Sequence, residues 1–122
     1  MQIHQSAEDY LETILMLTQR MGKVRSIDVV NELGFTKASV SIAMKKLREN
    51  GYIAVDGEGN LTLLEPGREI AERIYSRHRL LTHFFIQLGV DEKTAAEDAC
   101  KAEHILSEQT LEKIRERALE TD

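Results

Sequence analysis

Two β-prone runs, Tyr52-Ile53-Ala54-Val55 and Leu61-Thr62-Leu63-Leu64, flank the pentapeptide Asp56-Gly57-Glu58-Gly59-Asn60 in a chain that elsewhere reads as helix. Short runs joined by a Gly-rich turn predict a hairpin with a five-residue tip. What surrounds that hairpin then decides the architecture.

Three helical patterns precede it. The first opens at Ser6, with Glu8 and Asp9 where the helix dipole favours anions, and carries Tyr10, Leu11, Ile14, Leu15, Leu17 and Met21 as far as the stop at Gly22. A short second helix begins at Ser26, a residue able to cap, with Ile27, Val30 and Leu33 on one face before Gly34. After Gly34-Phe35-Thr36 a third runs from about Lys37 to Asn50 with Val40, Met44 and Leu47 inward, and Gly51 ends it. Helix, short helix, Gly-containing turn, helix and hairpin is the order of a winged helix-turn-helix. Beyond it, Pro66 suits the first position of a long helix reaching about Gln87. Gly89 breaks that helix, Asp91 starts a fifth to about Ser107, and a sixth follows through Leu111, Ile114 and Leu119. The expected fold is mainly α: a winged helix-turn-helix over 1–65, then a helical region over 66–122.

Composition limits the function classes. At 122 residues, the chain fits one domain or a small module with a helical extension, and is short for most self-contained enzymes. No apolar run approaches the roughly 18 residues of a membrane span, and Met1-Gln2-Ile3-His4 does not read as a secretory signal. A single cysteine, Cys100, cannot form an internal disulfide, which favours a reducing cytoplasm. The net charge of −5 speaks against nucleic acid until it is divided. From Arg20 to Asn50 seven cations face three anions; from Val90 to Asp122 five cations face ten. A basic front half and an acidic back half imply two jobs, one of which is contact with phosphate.

The third helix has the chemistry for a major groove. Thr36, Lys37, Ala38, Ser39 and Ser41 are small or polar and permit close approach to base edges, while Lys45, Lys46 and Arg48 sit further along, placed for phosphate. With Arg25, the candidate DNA-binding set is Arg25, Thr36, Lys37, Ala38, Ser39, Ser41, Lys45 and Lys46. Asp56 and Glu58 at the hairpin tip are unfavourable for a backbone contact. The bland alternative is a three-helix core with a solvated basic face.

A second constellation has metal-ligand character. Asp9 and Glu12, three apart, share a side of the first helix; His78 lies midway along the long helix between Arg77 and Arg79. Cys100, Glu103 and His104 fall at i, i+3 and i+4 of the expected fifth helix, side by side. Mixed N, O and S donors suit a transition metal better than calcium or magnesium. Each has a dull reading as a first-turn acid, a solvated partner or a small core thiol.

Three stretches carry a resemblance: Ser6-Ala7-Glu8-Asp9-Tyr10-Leu11-Glu12-Thr13-Ile14, Tyr75-Ser76-Arg77-His78-Arg79-Leu80-Leu81 and Cys100-Lys101-Ala102-Glu103-His104-Ile105-Leu106-Ser107. In this order they resemble the diphtheria-toxin-repressor/manganese-transport-regulator family over nearly the whole chain. The resemblance implies a homodimeric, metal-activated transcriptional repressor on a palindromic operator, with no enzymatic activity and no organic substrate. It also implies the short branch without an SH3-like domain. Asp9, Glu12 and His78 match manganese-type ligands, and Glu103 and His104 match the pair shared across the family. Cys100 departs from the manganese pattern, which has glutamate there, and agrees with the iron type. The iron type's ancillary ligands are replaced by Thr82 and Ala96. The implied cofactor is therefore Mn²⁺ or Fe²⁺, with Co²⁺ or Zn²⁺ as substitutes, because a thiol shifts preference away from manganese. Dimerisation is expected through Ala95, Ala99, Ile105, Leu106, Leu111 and Ile114 of the last two helices, with packing of part of that stripe on the long helix as the alternative. A winged-helix sensor of an organic ligand and a small metalloenzyme are the competing classes.

Overall fold

Periodic apolar residues build every helix of the chain. A computed structural model describes residues 5–120, with side chains as far as Ala118; Met1-Gln2-Ile3-His4 and the Leu119 side chain lie outside the described residues. The chain divides into two compact units, Met1–Glu72 and Arg73–Asp122.

In the first unit α1 (Gln5–Met21) buries Tyr10, Leu11, Ile14, Leu15 and Leu17, as their spacing predicts. Ser6 lies inside this helix rather than before it, and Met21 is half exposed. α2 (Ser26–Leu33) is capped by Arg25, not Ser26: the Arg25 N–H donates to the Asp28 carboxylate at 2.9 Å. Its fully buried residue is Val29, while Ile27 is exposed. Two adjacent valines in a two-turn helix satisfy either face, so periodicity alone chose the wrong one. Gly34 ends α2 in the left-handed region, its N–H donating to the Val30 carbonyl, and the chain turns at once into α3 (Lys37–Glu49). Thr36 caps α3, accepting from the Ser39 N–H at 3.1 Å, and Val40, Met44 and Leu47 are buried as expected.

The hairpin follows as β1 (Ile53–Val55) and β2 (Leu61–Leu63), antiparallel with Ile53 opposite Leu63 and Val55 opposite Leu61. Leu61 and Leu63 face the core and Thr62 faces out. The sheet gains an edge from the segment after α1: Leu61 N–H donates to the Val24 carbonyl, and Arg25 bridges to Asn60. α1 packs on α2, α3 and β2, and β1 packs on α3. This is a winged helix-turn-helix.

α4 (Glu65–Gln87) starts one residue before Pro66. Its first turn runs close under Tyr52, whose carbonyl accepts from the Leu64 N–H at 3.0 Å. A Cβ at Gly67 would collide with that carbonyl and press on a Leu11 methyl, so only glycine fits.

The second unit holds the rest of α4 with α5 (Glu92–Ala102) and α6 (Glu108–Glu120). Asp91 caps α5 through the Thr94 N–H, and Ser107 accepts from the Thr110 N–H at the start of α6. α5 is shorter than expected: it ends at Ala102, and 103–105 form a turn. Leu81, Ala99 and Leu111 make the core, with Leu80, Phe85, Ala102, Leu106 and Ile114 packed around it. Much of the stripe expected at the dimer interface is thus consumed inside one subunit: Ala95, Ala99 and Leu111 are fully buried there, because α5 and α6 pack with α4. Ile105 remains 75% exposed.

Candidate metal centre and nucleic-acid interface

The turn after α5 puts Glu103 in an unusual place for an acid. Its backbone stays helical, the N–H donating to the Ala99 carbonyl, and its side chain is fully buried. One carboxylate oxygen lies 2.9 Å from His78 Nδ1 and the other 3.4 Å from His104 Nε2. The His104 side chain is itself 1% exposed. An isolated buried carboxylate is strongly destabilising, so it needs hydrogen-bond partners or a cation beside it. Two imidazole nitrogens against the two oxygens of one carboxylate form a mixed N/O donor set suited to a divalent transition metal. The residues fit such an ion.

Arg77, the neighbour of His78, secures this turn. Its guanidinium donates to the Glu103 carbonyl at 3.2 Å and pairs with the Glu108 carboxylate at the start of α6. The stretch Arg77-His78-Arg79 was visible in the sequence as two cations about a histidine. No local signal marks Arg77 as the clamp, because its partners lie 26 and 31 residues away. Thr82, at the position of the iron type's ancillary acid, donates its hydroxyl to the His78 carbonyl at 2.7 Å.

Of the six expected ligands, His78, Glu103 and His104 come together in the second unit. Cys100 is exposed on α5, whereas Glu103, three residues on, is buried. Asp9 is half-buried and Glu12 buried on α1 of the first unit. Between them Tyr10 meets Phe35 edge-on, and its phenol is held above the ordinary tyrosine range by burial first and by the Asp9 charge second.

On the first unit Thr36, Lys37, Ala38, Ser39, Ser41, Lys45 and Lys46 are all exposed along α3. Thr36 has a structural task besides, since its hydroxyl also donates to the Ser39 Oγ. Arg25 differs from the lysines: its guanidinium donates to the Glu58 carbonyl at the wing tip. The tip is organised from within. Asp56 Oδ1 accepts from the Glu58 and Asn60 N–H groups at 2.9 Å, and Oδ2 accepts from the Asn60 amide at 3.0 Å. These bonds, those from Asn60 foremost, hold the Asp56 carboxyl below its ordinary range. The acid that looked adverse for DNA is the residue that shapes the wing.

Two family models match in succession. Residues 2–61 match the iron dependent repressor N-terminal DNA binding domain, and residues 64–120 the iron dependent repressor metal binding and dimerisation domain. The chain belongs to the iron-dependent repressor family. Members of this family are DNA-binding, metal-binding transcriptional regulators that dimerise, and they are not enzymes. The chain is similar to an uncharacterised HTH-type transcriptional regulator of Methanocaldococcus jannaschii, 37% identical over 91% of this chain and 90% of the relative. It is 33% identical to the HTH-type transcriptional regulator MntR of Lysinibacillus sphaericus, over 89% of this chain and 78% of that one. Among solved structures, a manganese-dependent transcriptional repressor in complex with manganese superposes with a TM-score of 0.84 at 28% identity, over 92% of this chain. The chain spans about half the length of that structure, 52%. No helix among the described residues is long and apolar enough to cross a membrane.

Proposed function

We propose that this protein is a cytoplasmic, homodimeric repressor of metal-uptake genes, switched on by Mn²⁺ or Fe²⁺ and able to accept Co²⁺ or Zn²⁺, acting on a palindromic DNA operator. The observation that carries the reading is the fully buried Glu103 carboxylate between His78 and His104, in a region matching a metal binding and dimerisation domain. Residues 1–65 read DNA, and 66–122 sense metal and pair the subunits.

The proposed ligands are Asp9 and Glu12 from α1 with His78, Cys100, Glu103 and His104 from the later helices. When bound, the ion would supply positive charge against these carboxylates. The residues act by what they join. Glu103 and His104, held by Arg77, present a fixed half of the site, and Asp9 and Glu12 belong to the helix supporting the reading head. Ligation by both sets restrains that head, so that α3 of each subunit meets successive major grooves about 34 Å apart. By linkage, DNA then tightens metal as metal tightens DNA. Because the donors must be deprotonated, acidification weakens the response. Contacts to DNA come from Arg25, Thr36, Lys37, Ala38, Ser39, Ser41, Lys45 and Lys46, the lysines mainly to phosphate.

The test is duplex binding by chelator-stripped protein, titrated with Mn²⁺, Fe²⁺, Co²⁺ and Zn²⁺ without oxygen, since oxidation of Cys100 would alter a ligand. Metal is expected to tighten binding at least tenfold. Stripped protein that binds as tightly as loaded protein overturns the reading.

A further inference from the structure

The outward face of α3 holds one residue that polar or phosphate contacts do not explain. Ile42 is 58% exposed on this helix, more than any other large apolar residue among the described residues of the first unit, and it caps no helix. At about 100° per residue, the buried trio Val40, Met44 and Leu47 fixes the inward direction of α3. Ala38 and Ile42, four apart, then fall within about 30° of the opposite pole. Ser41 and Lys45 flank them on one side, Ser39 and Lys46 on the other, all exposed. The helix thus presents an apolar ridge between polar and cationic borders.

A single exposed isoleucine on a protein surface needs no explanation. Here its place is specific: it is the large apolar side chain nearest the outward pole of a helix in a DNA-binding domain, between lysines suited to phosphate. A side chain at that pole faces the floor of a major groove. The apolar feature on that floor is the 5-methyl group of thymine, the one base substituent that an aliphatic side chain recognises and a hydroxyl or ammonium does not. We infer that Ile42, with Ala38 beside it, is a specificity-determining residue that selects operators by thymine methyl groups. The inference rests on the DNA-reading role proposed for α3 and deepens it. The lysines set how tightly any duplex is held, and Ile42 sets which one is preferred.

The experiment uses the full chain with Mn²⁺. Duplexes are selected from a pool with a randomised core, and the preferred duplex is remade with deoxyuridine, which lacks the 5-methyl group, in place of thymidine at each enriched position. Thymine is expected at symmetric positions, with binding weakened about fourfold for each contacted methyl removed. Ile42→Ser should bind the thymidine duplex more weakly by a similar factor and be indifferent to deoxyuridine. Ile42→Val, which keeps branched methyls, should retain most of the preference. Since Ile42 is exposed, both variants should show the thermal melt of the parent protein. If the parent ignores deoxyuridine, or Ile42→Ser remains as sensitive to it as the parent, the inference is overturned while metal-dependent DNA binding stands. If the parent binds no duplex with Mn²⁺ or Fe²⁺, the DNA-reading role falls and the inference with it.

Discussion

Each unit buries a carboxylate, Glu12 in the first and Glu103 in the second, and the two differ in what surrounds it. The first is held by apolar residues from nearly every element, such as Leu11, Ile14, Val24, Val29, Val40, Leu47 and Ile53, and its polar networks at the wing lie in solvent. The second has a smaller apolar centre around Leu81, Ala99 and Leu111, and places the fully buried Glu103 between two imidazoles. Apolar packing has one best arrangement and gives rigidity. A buried acid leaves a region dependent on whatever meets its charge. On the proposed function, the first unit holds a shape and the second responds.

Breaking the responsive part selectively gives the largest expected effect. His104→Ala should abolish the response of duplex binding to metal, while the apo protein keeps its helical circular dichroism. Parallel collapse of fold and metal response would make the two regions one. Breaking the shape-holding part comes next: Gly67→Ala forces a Cβ against the Tyr52 carbonyl and should cost about 2–3 kcal/mol in denaturant unfolding. An unchanged unfolding midpoint would show that the first turn of α4 yields freely.

Arg77→Ala sharpens the comparison, since it removes a clamp and no proposed ligand. Loss of support for a ligand typically lowers metal affinity by about 10- to 100-fold. Calorimetry on the stripped protein should find the lower end of that range, with the apo melt little changed. Lys46→Ala should weaken all duplexes alike and reduce the salt slope by about one.

The smallest effect is that of pH on the wing. The Asp56 carboxyl lies below its ordinary 3.8, chiefly through its bonds with Asn60. A depressed acid contributes stability that is complete above its unfolded value and fades as pH falls through the folded one. Protection of the Glu58 and Asn60 amides, relative to the intrinsic exchange rate at each pH, should therefore fall below about pH 4 in the parent, and Asp56→Ala should show that loss of protection already at neutral pH. Exchange in the variant as slow as in the parent would remove Asp56 from its organising role.

Most of the fold was legible because its helices repeat apolar residues at regular spacing and stop at glycines. Val40, Met44 and Leu47 were readable as the inner face of α3, and five apolar residues of α1 followed their spacing. Where two faces were equally apolar, as at Val29 and Val30, local pattern had no means of choosing. The end of α5 was missed for a different reason. No glycine or proline marks residue 103, and the turn there is held by Arg77 from a distant helix. The site shows the same division. Glu103 and His104 could be named from sequence, but the clamp by Arg77 and the pinning of the wing by Arg25 depend on chain segments 25 or more residues apart.

The internally bonded wing tip has a thermodynamic consequence. A floppy five-residue loop settling on a duplex would forfeit about 1–2 kcal/mol of backbone entropy for every residue it immobilised. Here Asp56, Asn60, Gly59 and Arg25 have fixed the tip within the free protein. Whatever that tip touches, it meets without first having to become ordered, so no backbone-ordering cost is set against the contacts made there.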